Sequence, residues 1–226
     1  MIVSIHQPNF FPWLGFFNKL YHCDNFVFLT ESIRSKNDKY LTRTKIISHS
    51  SPRYISVPLG TSQVKINQLK MPENDNWKKK ALNIIHESYK SSNYYEEVIP
   101  SINKLIMYES ENFSDYSINI INFFVNQLNI NTSINIDTDF NKSFGFSNKR
   151  NIAICTELNA TEYLSGIGAK SYNDSIMYEN SNIELIYQNF LHPQYPQNTN
   201  DFIFGMSIMD VVFNCGFAKT EKMLKI

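Results

Sequence analysis

The chain has 226 residues, enough for one domain with a substantial core, and its 21 basic side chains balance 21 acidic ones. This balance argues against a dedicated nucleic-acid binder, which usually has a basic face, but a few local cations suffice for a small anion. Three cysteines without metal spacing argue against a disulfide scaffold or a zinc site. With neither a leader peptide nor an apolar stretch of about 20 residues, we expect a soluble cytoplasmic protein without membrane insertion.

The first third of the chain predicts a strand, a turn and a helix. An apolar strand is expected at 2–5, ending at His6, and Pro8 keeps the residue before it out of the helical region, so the chain must turn there. Apolar residues then recur on one side of a helix at 13–21, and 25–29 predict a second strand. A strand, helix and strand within about 30 residues indicate a βαβ unit with parallel strands.

The middle third is predicted to be mainly helical, after a further strand at 53–59. Three segments place their apolar side chains on one helical face, and Pro100 is expected in the first turn of the second, where proline is tolerated. The segments are 77–89, 98–106 and 115–128. They predict a helical insert at about residues 75–130 inside a single domain that spans residues 1–226.

The last third returns to alternating helices and strands. A helix is expected at 148–160, and strands at 161–170, where a glycine-containing turn follows, and at 183–188. A final helix is expected at 206–216, with Gly216 as its stop. Helices and strands that alternate at both ends predict an α/β fold, with a mainly parallel Rossmann-like sheet flanked by helices. Ligands bind beyond the carboxyl ends of the strands in such sheets.

The segment after the first strand, His6-Gln7-Pro8, is the first candidate for a functional site. A histidine and an amide held rigidly at a strand end can perform acid–base chemistry near neutral pH or donate to a phosphate. The alternative is a structural histidine satisfied by a backbone carbonyl. Nearby, Trp13 can stack on a base or a sugar ring, or can pack in the core. The residues by themselves leave these alternatives open.

Cations and glycines supply candidates for phosphate binding. Lys36 and Arg43 follow the second predicted strand, and the planar fork of arginine suits a diphosphate. Ser165 and Gly166 begin a turn with two glycines, whose backbone N–H groups can face a phosphate. The alternatives are a solvated surface loop and an ordinary tight turn.

Two polar stretches near the C-terminus complete the candidates. Gln188, Tyr195 and Gln197 carry amide and hydroxyl groups of the kind that bind sugars, although a proline-stiffened surface loop is the alternative. Ser207 and Asp210 fit either catalytic roles or a capping box. In a capping box the serine caps the final helix, and the side chain of the acid accepts a hydrogen bond from the backbone N–H of the serine. The cap is favoured for Ser207, whereas Asp210 can serve the cap and still face a pocket.

Several blocks of the sequence resemble the WbqC-like protein family. The opening "HQPNFFPWLGFFNKL" is similar to the start of these proteins, in which a strand is followed by HQP and then by Pro-Trp-x-Gly-Tyr/Phe-Phe-x-Lys. The blocks "CDNFVFL", "LTRTKI", "YISVPL", "ESY", "YLSGIGAKSYND", "YQNFLHPQYPQ" and "FGMSIMDVVFNCG" follow in the family's order across nearly the whole chain. Tyr172 joins the candidate substrate-binding residues through its block. Thr42-Arg43 stands where the family tends to have Asn-Arg, which puts a ligand contact by that amide in doubt.

The resemblance implies a setting, the synthesis of bacterial O-antigen and other surface polysaccharide. It also implies a transferase that places glycine, or another aminoacyl or acyl group, on the amino group of a nucleotide-linked amino sugar. In that scheme His6 is the general base or the oxyanion partner, and Asp210 holds the amine or orients His6. Arg43 and Lys36 hold the diphosphate, and the other candidates bind substrate.

Two other functions stay open. The HQP turn is loosely similar to the HxGH turn of nucleotidylyl transferases, which suggests nucleotidylyl transfer or an ATP-dependent ligase. A non-catalytic subunit that delivers a sugar nucleotide is the other alternative. The acyl donor is unknown: it is an amino acid with ATP, a carrier thioester or an aminoacyl-tRNA, although the balanced charge disfavours nucleic acid. No metal and no cofactor beyond ATP or an activated acyl donor is predicted, and the oligomeric state is open.

Overall fold

The computed structural model describes residues 1–35 and 40–225. Its strands are β1 (Ile2–His6), β2 (Asn25–Phe28), β3 (Arg43–Ser48), β4 (Ser51–Ser56), β5 (Ser133–Ile136), β6 (Glu162–Ser165) and β7 (Glu184–Tyr187). Its α-helices are α1 (Leu14–Tyr21), α2 (Asn76–Tyr89), α3 (Tyr95–Met107), α4 (Phe113–Gln127), α5 (Ser147–Glu157), α6 (Ser175–Glu179) and α7 (Ile208–Met223).

Five strands pair in parallel in the order β5-β2-β1-β6-β7. This arrangement confirms the predicted α/β fold with a mainly parallel sheet flanked by helices. The chain builds from β1 through β2 to β5 on one side, and then crosses to β6 and β7 on the other. The strand order therefore reverses between β1 and β6, and a crevice opens beyond the carboxyl ends of strands at such a point.

The central strand β1 is buried because it has a neighbour on each side. Val3 and Ile5 are 0% and 4% exposed, and Ser4 between them donates its hydroxyl to Leu164 O at 2.8 Å. His6 pairs with Phe28 at the end of β2, which fixes its position at the carboxyl edge of the sheet. The register of β1 thus places the HQP turn at the crevice.

Three strands lie where the sequence pattern is weak or the pairing is local. The edge strand β5 is not predicted, because "SINI" alternates polar and apolar residues over four positions and none of them is fully buried. The strands β3 and β4 form a separate antiparallel hairpin, turned at His49 and Ser50 with positive φ angles of 50° and 58°. Arg43 is the first residue of this hairpin, so it does not lie at the carboxyl end of a strand of the main sheet.

The three predicted helices of the middle third are present as α2, α3 and α4. The expected place of Pro100 in a first turn is wrong, because α3 begins earlier, at Tyr95, and Pro100 lies inside the helix. The upstream turn forms because the carbonyl of Tyr94 accepts the N–H of Val98 at 3.0 Å. Proline in this interior position removes one backbone hydrogen bond from α3.

The predicted helix stop at Gly216 is confirmed, although a second helical segment follows it. The backbone leaves helical angles at Gly216 (φ 73°, ψ 167°), and helical structure resumes after this kink and continues to Met223, so α7 is two helical segments. A Cβ atom at Gly216 would come within 2.6 Å of the Tyr94 ring, so only glycine fits both the backbone angle and the close approach. The glycine therefore ends the first segment of α7 beside Tyr94.

Candidate functional site

A cavity of about 870 Å³ opens beyond the carboxyl ends of β1, β2, β6 and β7. Seven residues predicted from the sequence to bind or react with substrate line it, although they come from five separate segments. They are His6, Gln7, Trp13, Ser165, Gly166, Tyr172 and Gln188. The reversal of strand order between β1 and β6 brings these segments to one place.

The imidazole of His6 is held in one tautomer by its own turn. Its Nδ1 lies 2.9 Å from Gln7 O, and because a carbonyl only accepts, Nδ1 carries the proton. The neutral ring then has an unprotonated Nε2, which accepts hydrogen bonds. Burial, with a smaller contribution from the charge of Lys19, lowers the pKa of His6 to about 3. His6 is therefore an uncharged hydrogen-bond acceptor at neutral pH, so its Nε2 cannot donate to a phosphate, and in this free state the imidazole is a weak base.

Lys19 is a cation of the cavity that is absent from the list of sequence candidates. It lies on α1, is 4% exposed, and donates from Nζ to Ile5 O at 3.2 Å. Its ammonium also lies 5.7 Å from the centre of the Phe26 ring. Burial lowers the pKa of Lys19 to about 8. Lys19 is the lysine of the Phe-x-Lys pattern in the opening block. Its position in a predicted amphipathic helix made it resemble an ordinary surface lysine.

Arg150 is a second cation that the sequence candidates missed. It lies in α5, donates from Nε to Gly145 O at 2.8 Å, and donates from Nη1 to Ser32 Oγ. Its guanidinium lies 5.6 Å from the centre of the Phe146 ring. A lone arginine in a polar helix carries no sequence signal, so only the packing of α5 against β1, β2 and β6 shows its place in the cavity.

Several polar groups of the cavity already have partners within the protein. The Gln188 amide donates to Gly15 O and to Asn18 Oδ1, both at 2.7 Å, and so joins the end of β7 to α1. Ser165 is 1% exposed, and its Oγ accepts from Asn173 Nδ2 at 2.9 Å. These contacts shape the cavity wall and leave the amide donors of Gln188 committed to the fold.

Exposed apolar side chains surround the cavity mouth. Phe146 is 73% exposed and Tyr172 is 67% exposed, while Trp13 lies 5.7 Å from Tyr40, measured between ring centres. All four line the cavity. Aromatic faces in this position are suited to stacking on a base or a sugar ring.

The carboxylate of Asp210 lies elsewhere, in a buried cluster that we call the Asp210 cluster: Asp210, Tyr89, Tyr195 and Gln197. Tyr89 OH and Tyr195 OH each donate to it at 2.7 Å, and Gln197 Nε2 donates at 3.3 Å. Asp210 is fully buried, and burial raises its pKa. None of the four residues lines the cavity, so the structure does not bring Asp210 to His6.

Ser207 caps the final helix, as the sequence indicates, but the reciprocal half of the capping box does not form. Its Oγ accepts from Met209 N at 3.2 Å and donates to Phe11 O at 3.1 Å. The expected answer from Asp210 is wrong, because the N–H of Ser207 donates instead to Lys45 O at 2.7 Å. The Asp210 carboxylate is thereby left for the two tyrosines.

Of the two cations proposed from the sequence for the diphosphate, the structure describes Arg43. The guanidinium of Arg43 lies 4.6 Å from the centre of the Tyr54 ring, in the β3–β4 hairpin, and Arg43 does not line the cavity. Lys36 lies outside the described residues. Among the described residues, Lys19 and Arg150 are the lysine and arginine side chains that line the cavity.

Two further features concern residues 1–35 and 40–225, the part of the chain that the structure describes. Within those ranges, no group of three or more histidine, cysteine, aspartate or glutamate side chains is arranged to hold a metal ion. Over the same ranges, none of the helices has the length and apolar character needed to cross a membrane.

The sheet order defines an α/β protein, and its cavity lies at the reversal point of the strand order, where Rossmann-like sheets bind ligands. The model of the WbqC-like protein family matches residues 7–222, so the chain belongs to that family. It is also 26% identical to an uncharacterized protein of Mycobacterium tuberculosis over 219 residues, which are 95% of this chain and 94% of that protein. No solved structure matches the chain.

Proposed function

We propose that this protein transfers an acyl or aminoacyl group, glycyl for example, onto the amino group of a nucleotide-linked amino sugar during synthesis of a bacterial surface polysaccharide. Membership of the WbqC-like family supports the setting. The cavity supports the ligand class, since it combines cations, amides and exposed aromatic rings. The observation that carries the proposal is the neutral imidazole of His6, with Nε2 unprotonated, in the same cavity as the Lys19 ammonium.

Amide formation needs an unprotonated amine and a group that takes up the proton released on attack. In the proposed reaction the amine nitrogen attacks the acyl carbon and forms the C–N bond. The electron pair of the old acyl bond departs with the leaving group of the donor. His6 Nε2 accepts the proton from the nitrogen and returns it to that leaving group.

The low pKa of His6 has a use in this scheme. The ring is uncharged before the reaction, so it offers a lone pair to the amine without repelling it. A diphosphate bound nearby adds negative charge, which favours the protonated imidazole and raises the pKa of His6. Binding of the nucleotide would thus strengthen the base at the moment when it is needed.

The proposal assigns the remaining side chains by their place in the cavity. Lys19 and Arg150 provide the positive charge for the diphosphate, and Trp13 and Tyr172 provide faces for the base or the sugar. Asp210 contacts no ligand here, because its carboxylate is committed to Tyr89, Tyr195 and Gln197. The partners are therefore a nucleotide-linked amino sugar and an acyl donor of unspecified activation.

The test is a transfer assay on the purified protein, read by mass spectrometry. The protein is incubated with a UDP-linked amino sugar and, in parallel, with glycine plus Mg-ATP, glycyl-tRNA, or an acyl carrier thioester. We expect one donor to add the mass of its acyl group to the sugar nucleotide. The matched control is the same sugar nucleotide already acetylated on nitrogen, which lacks the free amine and gains no mass.

The assay also separates the other two functions. Release of pyrophosphate from Mg-ATP with no mass added to the amine would favour nucleotidylyl transfer. Tight binding of the sugar nucleotide by calorimetry, with no turnover for any donor, would favour a subunit that delivers the sugar to another enzyme. Either result would contradict the proposed acyl transfer.

A further inference from the structure

The ammonium of Lys19 is buried without a negatively charged partner. Among the described residues, no carboxylate lies within 4.0 Å of its Nζ, and the carbonyl of Ile5 is the oxygen it contacts. The titratable groups that face it are His6 at the end of β1 and Cys23 in the turn between α1 and β2. Burial raises the pKa of the Cys23 thiol to about 12, so this neighbour is uncharged. An uncompensated buried ammonium is costly to the fold.

A second buried lysine shows how the same chain compensates such a charge. Lys78 in α2 is 6% exposed, and its Nζ lies 2.9 Å from Asp75 Oδ1 and 3.3 Å from Tyr108 O. Lys78 does not line the cavity. The lysine beside the cavity is therefore the one that lacks a carboxylate, which points to a partner supplied from outside the chain.

The helix terminus at this place does not offer an alternative phosphate site. In many Rossmann-like proteins the first strand–helix turn binds phosphate with backbone N–H groups at the helix N-terminus. Here a Cβ atom on Gly15, in the first turn of α1, would lie 3.0 Å from Trp13 Nε1 and 3.1 Å from Phe190 Cδ1. The two aromatic side chains cover that turn. The positive charge at this turn is the ammonium of Lys19, which reaches back along α1 to Ile5 O at the end of β1.

We infer that Lys19 forms a phosphate subsite in the floor of the cavity and binds one phosphate of a nucleoside diphosphate. Its ammonium has three donors and Ile5 O uses one, so two remain for phosphate oxygens. The inference rests on the proposed function only for the class of ligand, a nucleotide-linked sugar. The binding step itself involves no acyl chemistry.

Phosphate binding at this lysine has a measurable by-product. With its pKa lowered to about 8, Lys19 is half neutral at pH 8 in the free protein. A bound phosphate favours the charged form, so the protein takes up about half a proton per ligand at that pH. Calorimetry of UDP binding in buffers of different ionisation enthalpy measures this number directly.

The test compares UDP, inorganic pyrophosphate, uridine and acetate as probes at pH 8. We expect proton uptake with UDP and pyrophosphate and none with uridine or acetate. In the Lys19→Met variant the uptake disappears and UDP binds about ten- to hundredfold more weakly, the range for a lost charge-assisted hydrogen bond. In Lys19→Arg most of the affinity returns without the uptake, because arginine is charged throughout this pH range. Lys78→Met is the matched control and keeps both affinity and uptake.

The possible outcomes each decide the matter. Unchanged UDP affinity and proton uptake in Lys19→Met would overturn the inference, and uptake with acetate but not pyrophosphate would overturn the choice of phosphate. The circular dichroism melt of Lys19→Met shows whether a loss of binding is a loss of folding. If UDP binding depended on Lys19 as expected but no acyl transfer occurred, the proposed function alone would be contradicted. Transfer at the wild-type rate and UDP affinity in Lys19→Met would contradict this inference alone.

Discussion

The cavity and the Asp210 cluster both bury titratable side chains, but they satisfy them in opposite ways. In the cluster, Tyr89, Tyr195 and Gln197 donate to the two oxygens of one carboxylate. In the cavity, Lys19 has a single carbonyl as its hydrogen-bond acceptor, and His6 uses Nδ1 for its own turn and keeps Nε2 as an acceptor. The first arrangement is closed and the second has bonding capacity left over.

Under the proposed function, this difference separates a structural cluster from a binding site within one molecule. Buried polar groups that find all their partners inside the chain stabilise a particular packing, here of α2, α7 and the segment after β7. Buried polar groups that border a cavity with unused donors or acceptors stay available to a ligand. Asp210 looked like a catalytic residue from the sequence because side-chain partners cannot be read from spacing.

The largest expected effect is on transfer by His6→Ala. We expect the rate of a single turnover to fall about 10²- to 10⁴-fold, because the variant lacks the proton acceptor. His192→Ala is the matched control: His192 makes the same contact from Nδ1 to the next carbonyl, Pro193 O at 2.9 Å, but lies outside the cavity. If His192→Ala lost transfer and His6→Ala kept it, His6 would not be the proton acceptor of the reaction.

Asp210→Ala is expected to cost about 3 kcal/mol of unfolding free energy, because two buried tyrosine hydroxyls lose their acceptor. Urea denaturation followed by circular dichroism measures this change. Asp210→Asn keeps the volume and one acceptor oxygen, so its loss should be smaller. If UDP affinity fell in Asp210→Asn while stability stayed at the wild-type value, the cluster would belong to the ligand site.

The stability of the two regions should also depend on pH with opposite signs. The folded-state pKa of His6 is lowered to about 3 from 6.5, so the unfolded chain binds more protons between these values and stability falls as the solution is acidified. At pH 5 these two pKa values correspond to a loss of about 2 kcal/mol, which we expect His6→Gln to recover.

The pKa of Asp210 is raised above 3.8, so its contribution is present at low pH and declines as pH rises through the folded-state value. Urea titrations of the wild type and of both variants from pH 4 to pH 8 give the free energy of unfolding of each protein as a function of pH. The difference between the wild type and each variant measures the pH dependence that the replaced residue contributes. If the wild-type-minus-variant difference in unfolding free energy changed with pH in the same direction for His6→Gln and Asp210→Asn, the electrostatic contrast between the two regions would be contradicted.

The smallest expected effect belongs to Arg43→Ala. Its guanidinium lies against Tyr54 in the hairpin and not at the cavity, so UDP affinity should change by less than about twofold, or about 0.4 kcal/mol. Arg150→Ala is the comparison variant, and calorimetry should show weaker UDP binding for it. A larger loss in Arg43→Ala than in Arg150→Ala would place the hairpin, and not α5, beside the diphosphate.

Local patterns allowed much of this molecule to be predicted. Apolar alternation and helical periodicity indicated β1, β2, β6, β7 and the three middle helices, because these elements bury one face or both. The turn chemistry of Pro8 marked the end of β1, where His6 is the last residue of the strand and Gln7 follows it. The edge strand β5 was missed because a short, partly buried strand carries little apolar signal.

The sequence by itself determined that polar residues follow several strands. It also showed that the HQP block and the later blocks resemble one family. The tertiary structure alone decided which of those residues meet, because strand order depends on pairings between segments far apart in the chain. It brought in Lys19 and Arg150, and it left Arg43 and Asp210 out of the cavity. Burial and hydrogen-bond partners, which no spacing encodes, made His6 an uncharged acceptor and Asp210 a satisfied carboxylate.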